Sequence, residues 1–192
     1  MAEAKHQGRA EFAELAMQAF WARGYEGTSM GDLVTVTGMN RGSIYARFSG
    51  KHEVFMTALA HYDEVHRARF LAILVRDHGA RAAILAAFDA AARPVAKGHP
   101  KGCLLVNTAI ERSPHDAEVA AFVRASLDAV GDFFRGRLQA ARDAGEIAAG
   151  TDTDALGHML LGLFLGLRVL ARSGADCRTT DAITAQAKAL MG

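Results

Sequence analysis

The chain has 192 residues and a mass of 20.5 kDa, with 51% hydrophobic and 22% charged residues, which is typical of a globular protein. Its 22 Lys and Arg residues nearly balance 21 Asp and Glu residues, so any contact with nucleic acid must come from a local basic patch. Two cysteines are too few for a disulfide framework and favour a cytoplasmic location. The most apolar stretch, residues 159–167, is much shorter than the ~20 residues of a membrane-spanning helix, so a buried helix and no membrane partner are predicted.

The sequence predicts an all-α fold of about nine helices. All three prolines lie within residues 94–114, and the stretches on either side are rich in Ala, Leu, Arg and Glu, which favour helices. Apolar residues recurring with a period of 3.6 place helices at about 5–23, 30–37, 40–48, 51–76, 84–92, 103–112, 115–144, 152–173 and 178–191. For the fourth helix the expected apolar stripe is Val54, Phe55, Leu59, Tyr62, Phe70, Ile73 and Leu74.

Residues 28–48 have the layout of a helix-turn-helix. Thr28 or Ser29 can cap the first short helix by accepting hydrogen bonds from its free N–H groups. Gly38 occupies the sharp turn, where a positive φ is expected, and Asn40 can cap the second helix. The start of the second helix would then face outward, where a major groove would lie. The apolar residues expected to pack beneath the turn are Leu33, Met39 and Ile44.

Basic side chains are concentrated on the second helix of this motif and just after it. Residues 38–51 contain Arg41, Arg47 and Lys51 and no acidic residue, whereas residues 1–37 hold three Lys or Arg against five Asp or Glu. Such a cluster suits neutralisation of DNA phosphates. Three charges alone would also fit an ordinary solvated helix, but the caps, the glycine and the apolar spacing together favour DNA binding.

The pattern Phe20-x-x-x-Gly24-Tyr25-x-x-Thr28-Ser29, then Gly38-Met-Asn-Arg-Gly42-Ser43-Ile-Tyr45-x-x-Phe48-x-x-Lys51, resembles the N-terminal DNA-binding domain of the TetR family of transcriptional regulators. The resemblance covers about residues 8–56. It implies a DNA-binding domain over 1–50 and an effector-binding and dimerisation domain over 51–192. It further implies a homodimer, most often a repressor, that binds a palindromic double-stranded DNA operator and is released by a small-molecule effector.

The resemblance also implies where DNA would be contacted. The first motif helix would present hydroxyl and N–H groups to phosphate, and the second, the recognition helix, would enter the major groove. The lysine at the head of the next helix would hold a phosphate. The predicted DNA-binding residues are Thr28, Ser29, Asn40, Arg41, Gly42, Ser43, Tyr45, Arg47 and Lys51.

Residues 52–192 carry 16 basic and 16 acidic residues, so this part has no charge excess for DNA. The irregular window 94–114 is typical of a cavity border, and it places Cys103, Asn107 and Glu111 on one face of a short helix. These side chains either contact an effector or pack and bond to neighbouring backbone. Cys103, close to His99 and Lys101, is also a candidate sensor of electrophiles or oxidants.

Aromatic residues of this second part either line a pocket or fill the core, and the sequence alone leaves both possibilities open. The predicted effector-binding residues are Phe70, Phe88, Cys103, Asn107, Glu111 and Phe122.

Three glycines, Gly157, Gly162 and Gly166, interrupt the apolar helix 152–173. Glycine costs about 1 kcal/mol relative to alanine inside a helix, so close packing against another helix is expected. The resemblance implies that the last two helices form the dimer interface, and Gly162 and Gly166 are the predicted interface residues. The alternative is a tightly packed core within one chain.

The sequence has no HExxH, paired CxxC, P-loop or GxSxG motif. Catalytic residues, a metal and a cofactor are therefore not predicted. The rival interpretation is an all-α enzyme or small-molecule carrier that does not bind DNA, and it would show no salt-dependent, sequence-selective binding to duplex DNA.

Overall fold

A computed structural model describes residues 2–93 and 102–192, with side chains from residue 8 onward. Within these ranges the regular structure is entirely helical, which confirms the all-α prediction. The helices are α1 Ala2–Arg23, α2 Met30–Thr37, α3 Arg41–Tyr45, α4 Lys51–Tyr62, a π-helical segment Asp63–Ala68, α5 Arg69–Asp77, α6 Ala80–Ala92, α7 Leu104–Glu111, a 3-10 turn Ser113–His115, α8 Ala117–Asp143, α9 Thr153–Ser173 and α10 Cys177–Ala189.

The ends of the short helices follow from local chemistry. Of the two candidate caps, Ser29 caps α2: its Oγ accepts from Asp32 N–H at 3.1 Å, and the Asp32 carboxylate accepts from Ser29 N–H at 2.9 Å. Gly38 ends α2 with φ 66°, as predicted, because a left-handed residue is needed there. Asn40 caps α3, which ends at Tyr45 and is shorter than the predicted 40–48.

The long helix predicted over 51–76 contains a π-helical segment at Asp63–Ala68. Arg69 N–H bonds to Glu64 O, five residues back, so the segment holds one residue more than an α-helical turn. The apolar stripe consequently shifts by one position: Leu71 and Leu74 are buried, whereas Ile73 is 37% exposed. The prediction that Ile73 belongs to the core is wrong for this reason.

Apolar side chains form two cores. In the first, α1–α4 pack together with the start of α7 and the first turns of α8, and the Phe20 and Phe55 rings meet edge to face at 4.9 Å. In the second, α5, α6, α8, α9 and α10 surround Phe88, Phe134 and Phe164. The short helix α7 therefore packs against α1 and α4 although it lies far along the chain.

Helix α9 is apolar but only partly covered. Its mean hydropathy reaches 1.5 over an 18-residue window, enough by length and composition to cross a membrane, and 22% of that window is buried. The expectation of a buried helix therefore holds for only one face of α9, which includes Leu160, Phe164 and Leu167. A side chain at Gly157 would lie 2.5 Å from Arg135 Cγ, so this glycine lets α9 approach α8, whereas Gly162 and Gly166 face open space.

Candidate DNA-binding surface and effector cavity

Helix α3 is anchored from below and presents its other face to solvent. Ile44 is fully buried in the first core, whereas Tyr45 is 46% exposed, and Arg41 and Arg47 are exposed as well. The Arg41 guanidinium lies 5.7 Å from the centroid of the Tyr45 ring, close enough for a cation–π contact. The outward face of α3 thus combines the positive charge of Arg41 with the hydroxyl of Tyr45, and Arg47 adds a second exposed charge in the turn that follows the helix.

The first turn of α3 is held by its cap. Asn40 Oδ1 accepts from Ser43 N–H at 2.8 Å. Gly42, which lies between these two residues, is exposed, and an added side chain there would meet only Asn40 Oδ1 at 3.5 Å. Within the described residues a side chain at this position would therefore meet no close contact, and the DNA contact of Gly42 stays a prediction.

The start of α2 departs from the prediction. Thr28 is fully buried, and its hydroxyl donates to Gly24 O at 2.8 Å. The predicted contact between this hydroxyl and a phosphate is corrected, because the group fixes the turn after α1. Ser29 is exposed, but its hydroxyl donates to the Asp32 carboxylate at 2.6 Å, so its role at this end of α2 is mainly that of a cap.

Lys51 connects the head of α4 to the turn after α1. Its Nζ donates to Tyr25 O at 3.0 Å and lies 4.1 Å from the centroid of the Tyr25 ring. An ammonium group has three donors, so two remain after this bond. Lys51 therefore has a structural bond in addition to the phosphate contact that the sequence predicts.

The same turn is held from the other part of the molecule by Glu111, at the end of α7. The Glu111 carboxylate accepts from Tyr25 N–H at 3.1 Å and from Glu26 N–H at 2.9 Å. Gly24 has φ 79°, and a side chain there would come within 2.6 Å of Glu111 Oε2. We call residues 24–26 with Glu111 the interdomain clamp. The prediction that Glu111 contacts an effector is wrong, because this carboxylate is occupied by the backbone of residues 25 and 26.

Three further contacts lie at or near the interdomain clamp. Arg112 pairs with Glu26 at 3.1 Å, and its guanidinium lies 4.4 Å from the centroid of the Tyr25 ring. His52 Nε2 lies 3.0 Å from the Asp116 carboxylate, at the start of α8. The pKa of Asp116 is lowered, first by the hydrogen bond from Val119 N–H and also by His52 and Arg112.

A cavity of about 220 Å³ lies between the two cores. Its walls come from α1 and from every helix between α4 and α9, including the π-helical segment. The lining residues are Trp21, Tyr62, His66, Arg67, Phe70, Leu71, Ala90, Ala91, Cys103, Leu105, Leu127, Val130, Phe164, Leu165 and Arg168.

Only part of the predicted effector set lines this cavity. Phe70 and Cys103 do, but Phe88 is fully buried against Phe134 and Phe164 in the second core. Asn107 and Phe122 also lie outside the lining, because Phe122 packs against the first core and Asn107 Oδ1 lies beside Gly102. Phe88 therefore fills the core, which is one of the two alternatives that the sequence left open, and effector contacts of Asn107 and Phe122 stay predictions. His99 and Lys101 lie outside the described residues.

Sequence reasoning missed the polar lining of the cavity, above all Trp21, Tyr62 and Arg168. The Tyr62 hydroxyl donates to Cys103 Sγ at 3.3 Å, and burial raises the pKa of Tyr62 well above its ordinary value. Tyr62 is therefore an uncharged donor at neutral pH. Among the described residues, no group of three or more His, Cys, Asp or Glu side chains is placed to hold a metal ion.

Comparison with known proteins identifies the family. The family of bacterial regulatory proteins, tetR family, matches residues 13–57, and the tetracyclin repressor-like C-terminal domain matches residues 80–187, which is more than half of the chain. The chain belongs to the TetR family. It is accordingly a DNA-binding transcriptional regulator with an N-terminal helix-turn-helix, as the motif at residues 28–48 indicated.

Individual TetR relatives agree over most of the chain. An uncharacterised HTH-type transcriptional regulator, YezE of Bacillus subtilis (strain 168), is 32% identical over 163 residues, covering 84% of each chain. The HTH-type transcriptional repressor ComR of Escherichia coli (strain K12) is 31% identical over 164 residues, covering 84% of this chain and 78% of ComR. A cysteine mutant of the TetR family regulator CifR, solved with a 26-bp operator, superimposes with a TM-score of 0.82 at 28% identity, covering 94% of this chain and 95% of CifR.

Proposed function

We propose that the protein is a homodimeric repressor that places α3 of each protomer in the major groove of a palindromic operator and is released by an effector bound in the cavity. The observation that carries the DNA-binding part is the outward face of α3. Arg41 and Tyr45 are exposed on a helix whose Ile44 is fully buried, and Arg47 is exposed in the turn directly after it. A rigid helix with exposed donors and positive charge is what groove contacts require.

The dimer is supported by the uncovered face of α9. Met159 is 52% exposed and Val169 is 43% exposed, and Gly162 and Gly166 leave an open surface between them. Large exposed apolar surfaces mark interaction sites. We expect Gly162→Leu to shift the dimer towards monomer in sedimentation equilibrium, because overpacking a close helix contact typically costs about 1–3 kcal/mol. An undisturbed Gly162→Leu dimer would place the interface elsewhere.

The route from cavity to DNA runs along two helices. Helix α7 has Cys103 and Leu105 at the cavity and Glu111 in the interdomain clamp. The rod of α4 and the π-helical segment has Tyr62 and His66 at the cavity and Lys51 at the turn after α1. A ligand that moves either helix therefore changes how the DNA-binding helices are held. The α3 helices of the two protomers would then no longer match operator half-sites that are about 34–36 Å apart or a multiple of that distance apart.

A second effector chemistry is favoured by the position of Cys103. This thiol is half-buried at the cavity, 3.3 Å from the Tyr62 hydroxyl, whereas Cys177 is exposed at the start of α10. An electrophile such as iodoacetamide would form a bond to the Cys103 thiolate sulfur and release iodide. Alkylation of the Cys177→Ser variant is expected to weaken operator binding, and alkylation of the Cys103→Ser variant is not. If both alkylated variants bind the operator as before, Cys103 is a packing residue.

The central test is selection of duplexes from a random pool, followed by titration of the selected duplex at several salt concentrations. A regulator of this type selects a palindrome and binds it with a steep salt dependence. An all-α carrier or enzyme, the rival function, would select no palindrome. Because Arg47 is a proposed phosphate contact in the turn after α3, Arg47→Ala should reduce both the affinity and the salt slope, whereas Arg76→Ala, which removes an exposed charge of α5, should change neither.

A further inference from the structure

We infer that the cavity binds a compact apolar molecule carrying one anionic group, of which an aromatic carboxylate is the simplest representative. The inference rests on the proposed function, in which this cavity is the effector site, and it specifies the chemistry that the site accepts. It depends on three properties of the lining: its charge, its unused hydrogen-bond donors and its aromatic walls.

The lining contains one guanidinium group without a carboxylate partner among the described residues. No Asp or Glu is among the described lining residues, which include Arg67, Arg168 and His66, and His66 Nε2 lies 3.8 Å from a carboxylate oxygen of Glu14, outside the lining. The Arg67 guanidinium is already paired with Asp63, with Nη2 and Oδ2 2.7 Å apart. Arg168 donates to Gly102 O at 2.6 Å, and no carboxylate of the described residues lies within ion-pair distance of it. A half-buried guanidinium in this setting attracts an anion and disfavours a cationic ligand.

The lining also offers donors that the protein itself does not satisfy well. Trp21 Nε1–H is buried with no hydrogen-bond partner within the described part of the chain. The Tyr62 hydroxyl donates only to the Cys103 sulfur, which is a weak acceptor. A carboxylate oxygen is a far stronger acceptor for either group, because hydrogen bonds to a charged acceptor are about twice as strong as neutral ones. Both donors therefore favour an acceptor-only ligand group.

These polar groups lie at one end of the cavity. Arg168 bonds to Gly102, the neighbour of Cys103, and it is close enough to Tyr62 to act on the pKa of that hydroxyl. The Trp21 and Tyr62 rings meet edge to face with centroids 5.0 Å apart. The rest of the lining is apolar and includes Phe70, Leu71, Leu127, Val130, Phe164 and Leu165. A ligand with an anionic group at one end and an apolar body would therefore complement this cavity.

The volume of about 220 Å³ suits a small molecule of the size of a substituted benzene ring. We therefore choose 4-tert-butylbenzoate as the probe and 4-tert-butylbenzamide as its matched neutral control. Trp21 is the only tryptophan in the chain, so a change in its emission reports occupancy of the cavity directly in the unmodified protein.

Wild-type protein is expected to bind the benzoate at least about tenfold more tightly than the benzamide, as the strength of a charge-assisted hydrogen bond implies. Arg168→Gln should abolish this preference, and Arg168→Lys, which keeps the charge, should retain part of it. Arg76→Gln, the loss of an exposed charge remote from the cavity, should leave the preference unchanged. Melting curves of each variant control for misfolding.

Equal affinities of wild type for benzoate and benzamide, or no binding of either, would overturn the inference without any variant. Affinity for the selected operator duplex is measured in parallel without ligand. Loss of selective DNA binding there contradicts the proposed function, whereas intact DNA binding without a carboxylate preference contradicts only the chemistry inferred for the ligand. A carboxylate preference with benzoate-induced release of the operator supports both.

Discussion

The proposed DNA-binding surface and the proposed effector cavity are built in opposite ways. The surface comes from residues 40–47, a short continuous stretch whose cap, glycine and charges are neighbours in sequence. The cavity takes residues from Trp21 to Arg168, spread over α1 and the helices from α4 to α9. Two tyrosines illustrate the difference. Tyr45 is 46% exposed and can contact an external partner, whereas Tyr62 is only 5% exposed and lines the cavity. A surface for a large rigid partner can be local, whereas an enclosed site needs many helices.

The largest expected effect concerns a residue that the cavity wall shares with the second core. Phe164 is buried against Phe88 and Phe134 and also lines the cavity. Phe164→Ala should lower the free energy of unfolding by about 3–5 kcal/mol, the usual cost of deleting a buried phenyl ring. It should also enlarge the cavity, so that larger apolar ligands bind. Urea unfolding measures the free energy of unfolding, and Trp21 emission measures the binding of larger ligands. A decrease in the free energy of unfolding below about 1 kcal/mol would mean that the Phe164 ring is not part of a packed core.

The two tyrosines provide the sharpest form of the comparison. Tyr45→Ala removes a proposed groove contact and should weaken operator binding by about 1–3 kcal/mol, with melting and effector binding unchanged. Tyr62→Phe removes only a buried hydroxyl and should alter effector affinity while leaving ligand-free operator binding unchanged. Electrophoretic mobility shift and fluorescence titration on both variants separate these outcomes. A variant that changes both readouts equally would indicate that the two sites are not distinct.

The interdomain clamp is where the two regions meet, and a smaller effect is expected there. Glu111→Gln retains one acceptor but turns a donor towards one of the two backbone N–H groups, which should cost roughly 1 kcal/mol of stability. The operator should still bind, but an effector should release it less completely. Glu64→Gln, at an exposed position of the π-helical segment, is the matched control. If an effector releases the operator from Glu111→Gln as completely as from the wild type, the interdomain clamp does not transmit the effect of the effector.

The smallest expected effect concerns the cap of α2. The pKa of Asp32 is lowered from its ordinary value of 3.8 to about 2, first by hydrogen bonds from Ser29 and then by Arg23. The ionised carboxylate therefore stabilises the fold above pH 4 or so, and this contribution is lost as the pH falls towards 2. The urea midpoint of Asp32→Asn should consequently depend less on pH in this window than that of the wild type. Parallel pH profiles of the two proteins would contradict this assignment.

The sequence was informative wherever a structural role depends on near neighbours. Ser29, Gly38 and Asn40 could be assigned because caps and a left-handed turn are set by residues within one helical turn. Glu111 could not, since its partners are backbone groups about 85 positions away. Trp21 was equally hidden, because nothing in the pattern of α1 distinguishes a ring facing a cavity from one facing a core.

The π-helical segment between α4 and α5 has a consequence for how this protein tolerates changes in chain length. The segment accommodates one residue beyond what an uninterrupted α-helix would contain. Removing a single residue there, such as the exposed Glu64, would convert the widened turn to regular α-helix while leaving the buried faces of Leu59 and Leu71 in their present directions. Most internal deletions in a helix rotate everything that follows, but this site is buffered against that rotation. The rod of α4, the π-helical segment and α5 can thus lose one residue at this segment without a change in which face of α5 is buried.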